Sequence, residues 1–298
     1  MEKKLIRDKK FSGERALFHS TDLRIEASVF EDGESPLKES SDLELEHVLF
    51  RWKYPLWYCK NVIARQSCWF DMARAGVWYT EGMRVEDCVI QAPKNFRRCR
   101  DLSIRDTAMT DAKETLWSCQ GVKLANVTAR GDYFAMNSSG MEIDNLILDG
   151  NYSFDGVRDV TIRNSRLLSK DAFWNSENVT VYDSFISGEY LGWNSKKLTL
   201  INCTIESLQG MCYIEELVMK DCRLVDTTLA FEYSSADVSV NGRIESVFNP
   251  KSGTIRADEI GELIIEKDEI DPSRTKIVCE AVEVRSDAPE WKRGTKDV

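Results

Sequence analysis

Apolar residues recur along this chain every 19 to 21 positions. The segment Leu198–Ile205, L-T-L-I-N-C-T-I, has close relatives starting at Leu102, Val160, Val179 and Leu217. With the first residue of each as an anchor, the series runs Leu23, Leu43, Val62, Met83, Leu102, Val122, Met141, Val160, Val179, Leu198, Leu217, Val238, and Leu263 is a candidate for one more. The residue two beyond each anchor is also apolar, from Ile25 and Leu45 to Met219 and Val240. A period of two predicts a strand with one face buried. A third apolar position follows seven after the anchor, as in Ile90, Met109, Leu148, Leu167, Ile186 and Ile205.

Turn residues sit at fixed places between these positions. Four after the anchor stand Asp87, Asp106, Asn126, Asn145, Asn164, Asp183, Asn202 and Asp221, and just before it stand Asp42, Asn61, Gly82, Asp101, Gly121, Gly140, Asp159 and Asn178. Asn and Asp tolerate bent backbone and bond to nearby amides, so ladders of them can hold stacked coils in register. Helical repeats run to about 33 to 47 residues with a 3.6 period, which this chain lacks. The pattern predicts an all-β solenoid, a parallel β-helix of about 12 coils. One domain is expected over 1–298, with regular coils at 11–245, closing coils at 246–285 and a charged tail at 286–298.

A further short strand precedes each anchor. Six before it the residues are apolar or Gly (Leu37, Leu56, Val77, Phe96, Leu116, Phe154, Phe173, Gly192), and three before it they are small (Ser40, Cys59, Thr80, Cys99, Cys119, Ser138). Both rows face inward. Between them lie Lys38, Trp57, Trp78, Arg97, Trp117, Asp155, Trp174 and Trp193, then His19, Glu39, Tyr58, Tyr79, Arg98, Asn175 and Asn194. Unpaired charges in a narrow core are too costly, so both of these rows are expected outside, at a bulge or bend. A buried tryptophan stack is the alternative.

The stretches F-S-G-E-R-A-L-F (Phe11–Phe18), D-G-E-S-P-L-K-E (Asp32–Glu39) and Y-P-L-W-Y (Tyr54–Tyr58) resemble a family of uncharacterised bacterial single-domain β-helix proteins within the pectin-lyase-like superfamily. That resemblance implies a right-handed solenoid. It brings no catalytic residues.

Composition narrows the chemistry. A net charge of −10 argues against nucleic acid, which needs a basic surface to displace counterions. No apolar run approaches a membrane span, and Met1–Phe11 lacks a signal-peptide core, so a cytoplasmic protein with reduced cysteines is expected. Nine cysteines without a C-x-x-C pair and two histidines leave little for a metal, and no cofactor is expected. G-x-S-x-G, P-loop and H-E-x-x-H motifs are absent.

Two uses of the outward rows remain. The aromatic strip, Trp57, Tyr58, Trp78, Tyr79, Arg97, Arg98, Trp117, Trp174, Asn175, Trp193 and Asn194, is a candidate surface for an oligosaccharide or, in a non-catalytic scaffold, for a protein partner or a second copy of the chain. His19, Lys38 and Glu39 on adjacent coils are the candidate catalytic group, His19 beside Glu39 forming an oriented base. An enzyme built this way would be a carbohydrate-active lyase or hydrolase. A solvated cluster of opposite charges explains the same three residues without catalysis. Asp132, Asp171 and Glu189 are further carboxylates that could pair across coils.

Overall fold

The computed structural model describes residues 3–285; the charged stretch 286–298 lies outside the described residues. Contacts divide the chain into two compact units, Met1–Leu167 and Leu168–Val298.

In the first unit, nine strands pair in parallel, each with the next: Lys4–Arg7, Thr21–Glu26, Ser41–Glu46, Lys60–Arg65, Glu81–Glu86, Arg100–Met109, Gln120–Arg130, Ser139–Asp149 and Arg158–Arg163. The anchors stack in register, Leu43 on Val62, Val62 on Met83, Met83 on Leu102. Parallel strands one coil apart are the β-helix that the period requires. The ladder starts a coil earlier than Phe11, because Lys4 pairs with Leu23.

In the second unit, Glu177–Tyr182, Lys196–Ile201, Leu217–Leu224, Ser235–Val240, Ser252–Arg256 and Thr275–Val278 pair in parallel in the same way. Two expectations change here. Leu217 pairs with Ala236, so Val238 is the residue two beyond the anchor and that coil is shorter than the sequence count. The ladder also continues past the regular coils expected at 11–245: Ala236 pairs with Gly253, and Gly253 with Thr275. Leu263 starts no coil in this ladder, since it lies in a second one formed by Arg243–Phe248, Glu259–Ile264 and Ala281–Arg285. The described coils therefore number nine and six, against about 12 expected.

Core and turns follow the sequence pattern. Ile25, Leu45, Val85, Leu43, Val62, Met83, Leu37, Leu56, Val77 and Phe96 are buried. Seven after the anchor, the early coils carry a stack of aromatics: Phe11 on Phe30 at 4.8 Å, Phe30 on Phe50 at 5.2 Å, Phe50 on Trp69 at 5.0 Å. The asparagine ladder bonds from coil to coil, Asn126 Nδ2 donating to Asp106 Oδ1 at 2.8 Å and Asn145 Nδ2 to Asn126 Oδ1 at 2.9 Å. Both turn rows take the left-handed backbone: Asp87, Asp106 and Asn126 in one, Asp42, Asn61 and Gly121 in the other. Among the described residues no helix is long and apolar enough to cross a membrane.

Candidate functional site

The expected bulge is a left-handed corner. The row four before the anchors Leu23 to Leu217 has positive φ, including His19 (φ 55), Tyr58 (φ 57), Tyr79 (φ 57), Arg98 (φ 51) and Asn194 (φ 58). A left-handed residue turns the chain and breaks the alternation of faces. Two neighbouring side chains thereby point outward without an inserted residue. Such residues cost about 1–2 kcal/mol each unless Gly, so the stacking between coils must hold them.

In the first unit the outward strip is packed flat. Trp57 and Trp78 stack with ring centroids 4.8 Å apart and planes 5° from parallel. The Arg97 guanidinium lies between two indoles, 4.8 Å from Trp78 and 4.4 Å from Trp117. Arg97 Nη2 also bonds Glu114 Oε2 at 3.1 Å, an oxygen shared with Lys94 Nζ at 3.2 Å. Each indole N–H is used within the chain: Trp57 Nε1 donates to the Ala75 carbonyl at 2.6 Å, Trp78 Nε1 to that of Lys94 at 2.9 Å, Trp117 Nε1 to that of Tyr133 at 2.6 Å. These residues are half-buried. They are neither a core stack nor a free platform: neighbouring planes cover the ring faces and the edges meet solvent. Beside them Tyr58 and Tyr79 stack at 4.7 Å and 2°, with Lys38 Nζ 5.6 Å from the Tyr58 ring and Arg98 5.9 Å from that of Tyr79.

His19, Lys38 and Glu39 do fall on adjacent coils, the His19 backbone N–H donating to the Lys38 carbonyl at 3.0 Å. Their side chains do not form the expected oriented base. The His19 ring is exposed beside Phe18, at 6.0 Å, and Glu39 pairs with Lys38 at 3.8 Å. Of the other carboxylates, Asp132 accepts from the Asn151 backbone at 2.8 Å, and Glu189 is paired with Lys170 at 3.0 Å. Asp171 is buried, and that burial raises its pKa.

In the second unit the same strip is splayed. Trp174 and Trp193 stand 6.1 Å apart and tilt by 43°, Trp193 and Tyr213 are 4.8 Å apart at 26°, and Tyr213 and Tyr233 are 5.3 Å apart at 44°. Trp174 Nε1 donates to the Tyr190 carbonyl at 3.0 Å, and Asn194 Nδ2 donates to Asn175 Oδ1 at 2.8 Å. A cleft of about 570 Å³ opens where the strip meets the stretch 269–274; its walls include Asn194, Lys196, Tyr213, Tyr233, Lys251, Glu269 and Arg274. Tyr233 Oη donates to Glu269 Oε2 at 3.3 Å, and Lys196 pairs with Glu215 at 3.4 Å. Desolvation, with Glu232 nearby, pushes the Tyr213 phenol up to about 12; desolvation and Glu269 do the same for Tyr233. Both hydroxyls remain donors at ordinary pH.

The sequence reading reached Asn194 but not Tyr233, Lys251, Glu269 or Arg274. Anchoring the coil on Val238 misplaces Tyr233, which continues the row of Tyr213: Tyr213 N donates to the Glu232 carbonyl at 2.7 Å, as His19 N does to that of Lys38. Counting back four from the true anchor, Ala236, gives Glu232, because this coil has one residue fewer between the corner and the anchor; the period alone does not reach Tyr233. Glu269 and Arg274 belong to a non-repeating excursion that carries no periodic signal.

The cysteines have a structural part. Cys59, Cys99 and Cys119 are buried and donate to carbonyls of the preceding coil, those of Leu37 at 3.2 Å, Val77 at 3.5 Å and Phe96 at 3.0 Å. Thr80 and Ser138 make the same bond in the same row, to Leu56 and Leu116. Burial pushes the Cys59 thiol up to about 12, which keeps it a donor. Among the described residues no group of three or more His, Cys, Asp or Glu is placed to hold a metal ion.

A family model described as "Protein of unknown function (DUF3737)" matches residues 4–278. No curated protein matches the sequence. Among solved structures, the chain is similar to the A-module of mannuronan C-5 epimerase AlgE4 of Azotobacter vinelandii, at 10% identity over 96% of this chain and 90% of that one, TM-score 0.27. It is similar to the tailspike protein of E. coli bacteriophage HK620 in complex with pentasaccharide, at 7% identity over 95% and 74%, TM-score 0.34. It is also similar to HetL, a pentapeptide repeat protein of Nostoc sp., at 8% identity over 74% and 92%, TM-score 0.20. Likeness this slight says nothing of activity, and the parallel β-helix is read from the strand register alone.

Proposed function

We propose, from the premise that the chain belongs to this family of proteins of unknown function, that it binds an oligosaccharide without covalent chemistry, in the cleft of the second unit. The lining of the cleft carries this reading: Tyr213 and Tyr233 stand beside the Asn194 amide, Lys196, Lys251, Arg274 and Glu269. A sugar offers apolar C–H faces and rows of hydroxyls. Tilted aromatic rings take the first; amides, carboxylates and cationic groups take the second. A volume near 570 Å³ falls within the usual range for small-ligand sites. The reading is of binding alone: the carboxylates of the cleft are engaged within the chain, Glu215 by Lys196, Glu269 by Tyr233 and Asp271 by Ser273. The separated side chains of His19 and Glu39 give no support to catalysis in the first unit.

The strip of the first unit favours a different use. Ring faces already covered by neighbours suit the edge of a protein partner better than a sugar face.

The test is a glycan array followed by calorimetric titration of any hit. Saturable binding is expected, and Tyr213→Ala should weaken it about tenfold. Trp78→Ala should leave the affinity unchanged. Loss of affinity on Trp78→Ala but not on Tyr213→Ala would move the site to the first unit. No saturable hit among neutral, amino and acidic glycans would sink the reading.

A further inference from the structure

The first described coil differs from those that follow it. Its inward residues Ile6, Phe11 and Leu17 are each half-exposed, whereas Ile25, Phe30 and Leu37 in the next coil are buried. Leu5 is 51% exposed. Lys4–Arg7 pairs only with the strand beginning at Thr21, so among the described residues its other edge is open. The last described coil repeats the condition. Among the described residues Thr275–Val278 pairs only with Ser252–Arg256, Ile277 is half-exposed and Val278 is exposed. Uncovered core and an open strand edge invite pairing with another chain.

Charge selects the partner. Between residues 3 and 15 there are six basic side chains (Lys3, Lys4, Arg7, Lys9, Lys10, Arg15) against two acidic (Asp8, Glu14). Between residues 258 and 283 there are nine acidic side chains against three basic. Two first coils would repel each other, as would two last coils, and a first coil facing a last coil attracts. Register agrees as well. Lys4 and Thr275 are both anchors of the ladder, and Ile6 and Ile277 both stand two beyond, so the apolar residues would meet.

We infer that the first described coil docks on the last described coil of a second copy of this chain, the two open strands pairing in parallel. Such a contact is heterologous, so each copy keeps one free end and the assembly grows with concentration until it closes.

Light scattering and sedimentation velocity of the full chain, over a concentration series at low and high salt, test this. Mass above that of one chain is expected, rising with concentration, with association at least about tenfold weaker at high salt. Lys4→Glu with Lys9→Glu, both exposed, should abolish it, as should Glu280→Lys with Glu283→Lys. Mixing the two variants should restore association between them, which shows that both are folded. A single-chain mass under all conditions overturns the inference, including the case where residues 286–298 of the same chain cover the last coil. Association of the Lys4→Glu, Lys9→Glu variant at wild-type strength also overturns it.

Discussion

The same row of the coil becomes two different surfaces in the two units. In the first, Trp57 and Trp78 lie 5° from parallel and Arg97 continues the stack to Trp117. In the second, Trp174 and Trp193 tilt by 43°, and Tyr213 and Tyr233 by 44°. Coils repeat at about 4.8 Å, somewhat more than the thickness of a ring. A stack therefore closes only when every coil supplies a planar group at the same height. Arg97 qualifies because a guanidinium is flat and stacks on aromatic faces. In the second unit the row of Trp193 passes to Cys212, which is buried, and then to Glu232, which is buried and bonded to Gln209 Nε2 at 2.6 Å. Tyrosines of the adjacent row then turn across the gap, and their tilt leaves the cleft. The loss of ring positions at Cys212 and Glu232 separates a sealed strip from a site.

The contrast can be broken by substitution. Trp78→Ala removes a half-buried ring from the middle of the closed stack and should cost about 2 kcal/mol, below the range for a fully buried tryptophan. Tyr233→Ala, at the open end, should cost less than about 1 kcal/mol. Urea unfolding of both variants measures the difference, and a larger loss at Tyr233 would reverse the assignment of sealed and open regions. An effect smaller than that of Trp78→Ala is expected from Arg97→Lys, which keeps the charge but loses the flat stacking group: about 1 kcal/mol by the same measurement. No loss would mean that planarity is not what closes the strip.

The smallest effect is one of pH, and it sharpens the description of the cleft. A phenol whose folded pKa is raised ionises first in the unfolded chain. Stability contributed by Tyr213 and Tyr233 is therefore complete below their ordinary pKa near 10 and declines as pH rises toward about 12. Melting temperature followed across that window should fall less steeply in the Tyr213→Phe, Tyr233→Phe double variant than in the parent. Equal slopes would remove the desolvated hydroxyls from the account.

Much of the cross-section was legible in the sequence. The small residues Cys59, Thr80, Cys99 and Ser138 marked an inward corner, and the structure buries all four. Lys38, Arg97 and Asp155 kept their row out of the core because an unpaired buried charge is prohibitive. The left-handed corner at Tyr58, Tyr79 and Arg98 was not legible at those coils, where no Gly or Asn stands; the signal lies further along the row, at Asn137, Gly156, Asn175 and Asn194. Those side chains accept the strain because stacked neighbours hold them, Tyr58 on Tyr79 above all. The shortened coil before Ala236 was missed because Val238 and Val240 imitate an anchor pair.

What the sequence determined by itself is the repeat: coil length, parallel stacking, turn ladders, and which rows face in or out. All of these follow from burying one face of a chain whose side chains alternate, which is a local requirement met again in each coil. What only the tertiary structure decided is how outward neighbours lie against one another. The tilt between Tyr213 and Tyr233, the sandwich around Arg97, the distance between His19 and Glu39, and the approach of Glu269 to Tyr233 are of this kind. Ring angle and side-chain reach depend on coil-to-coil spacing and on residues far away in the chain, and neither leaves a period to read.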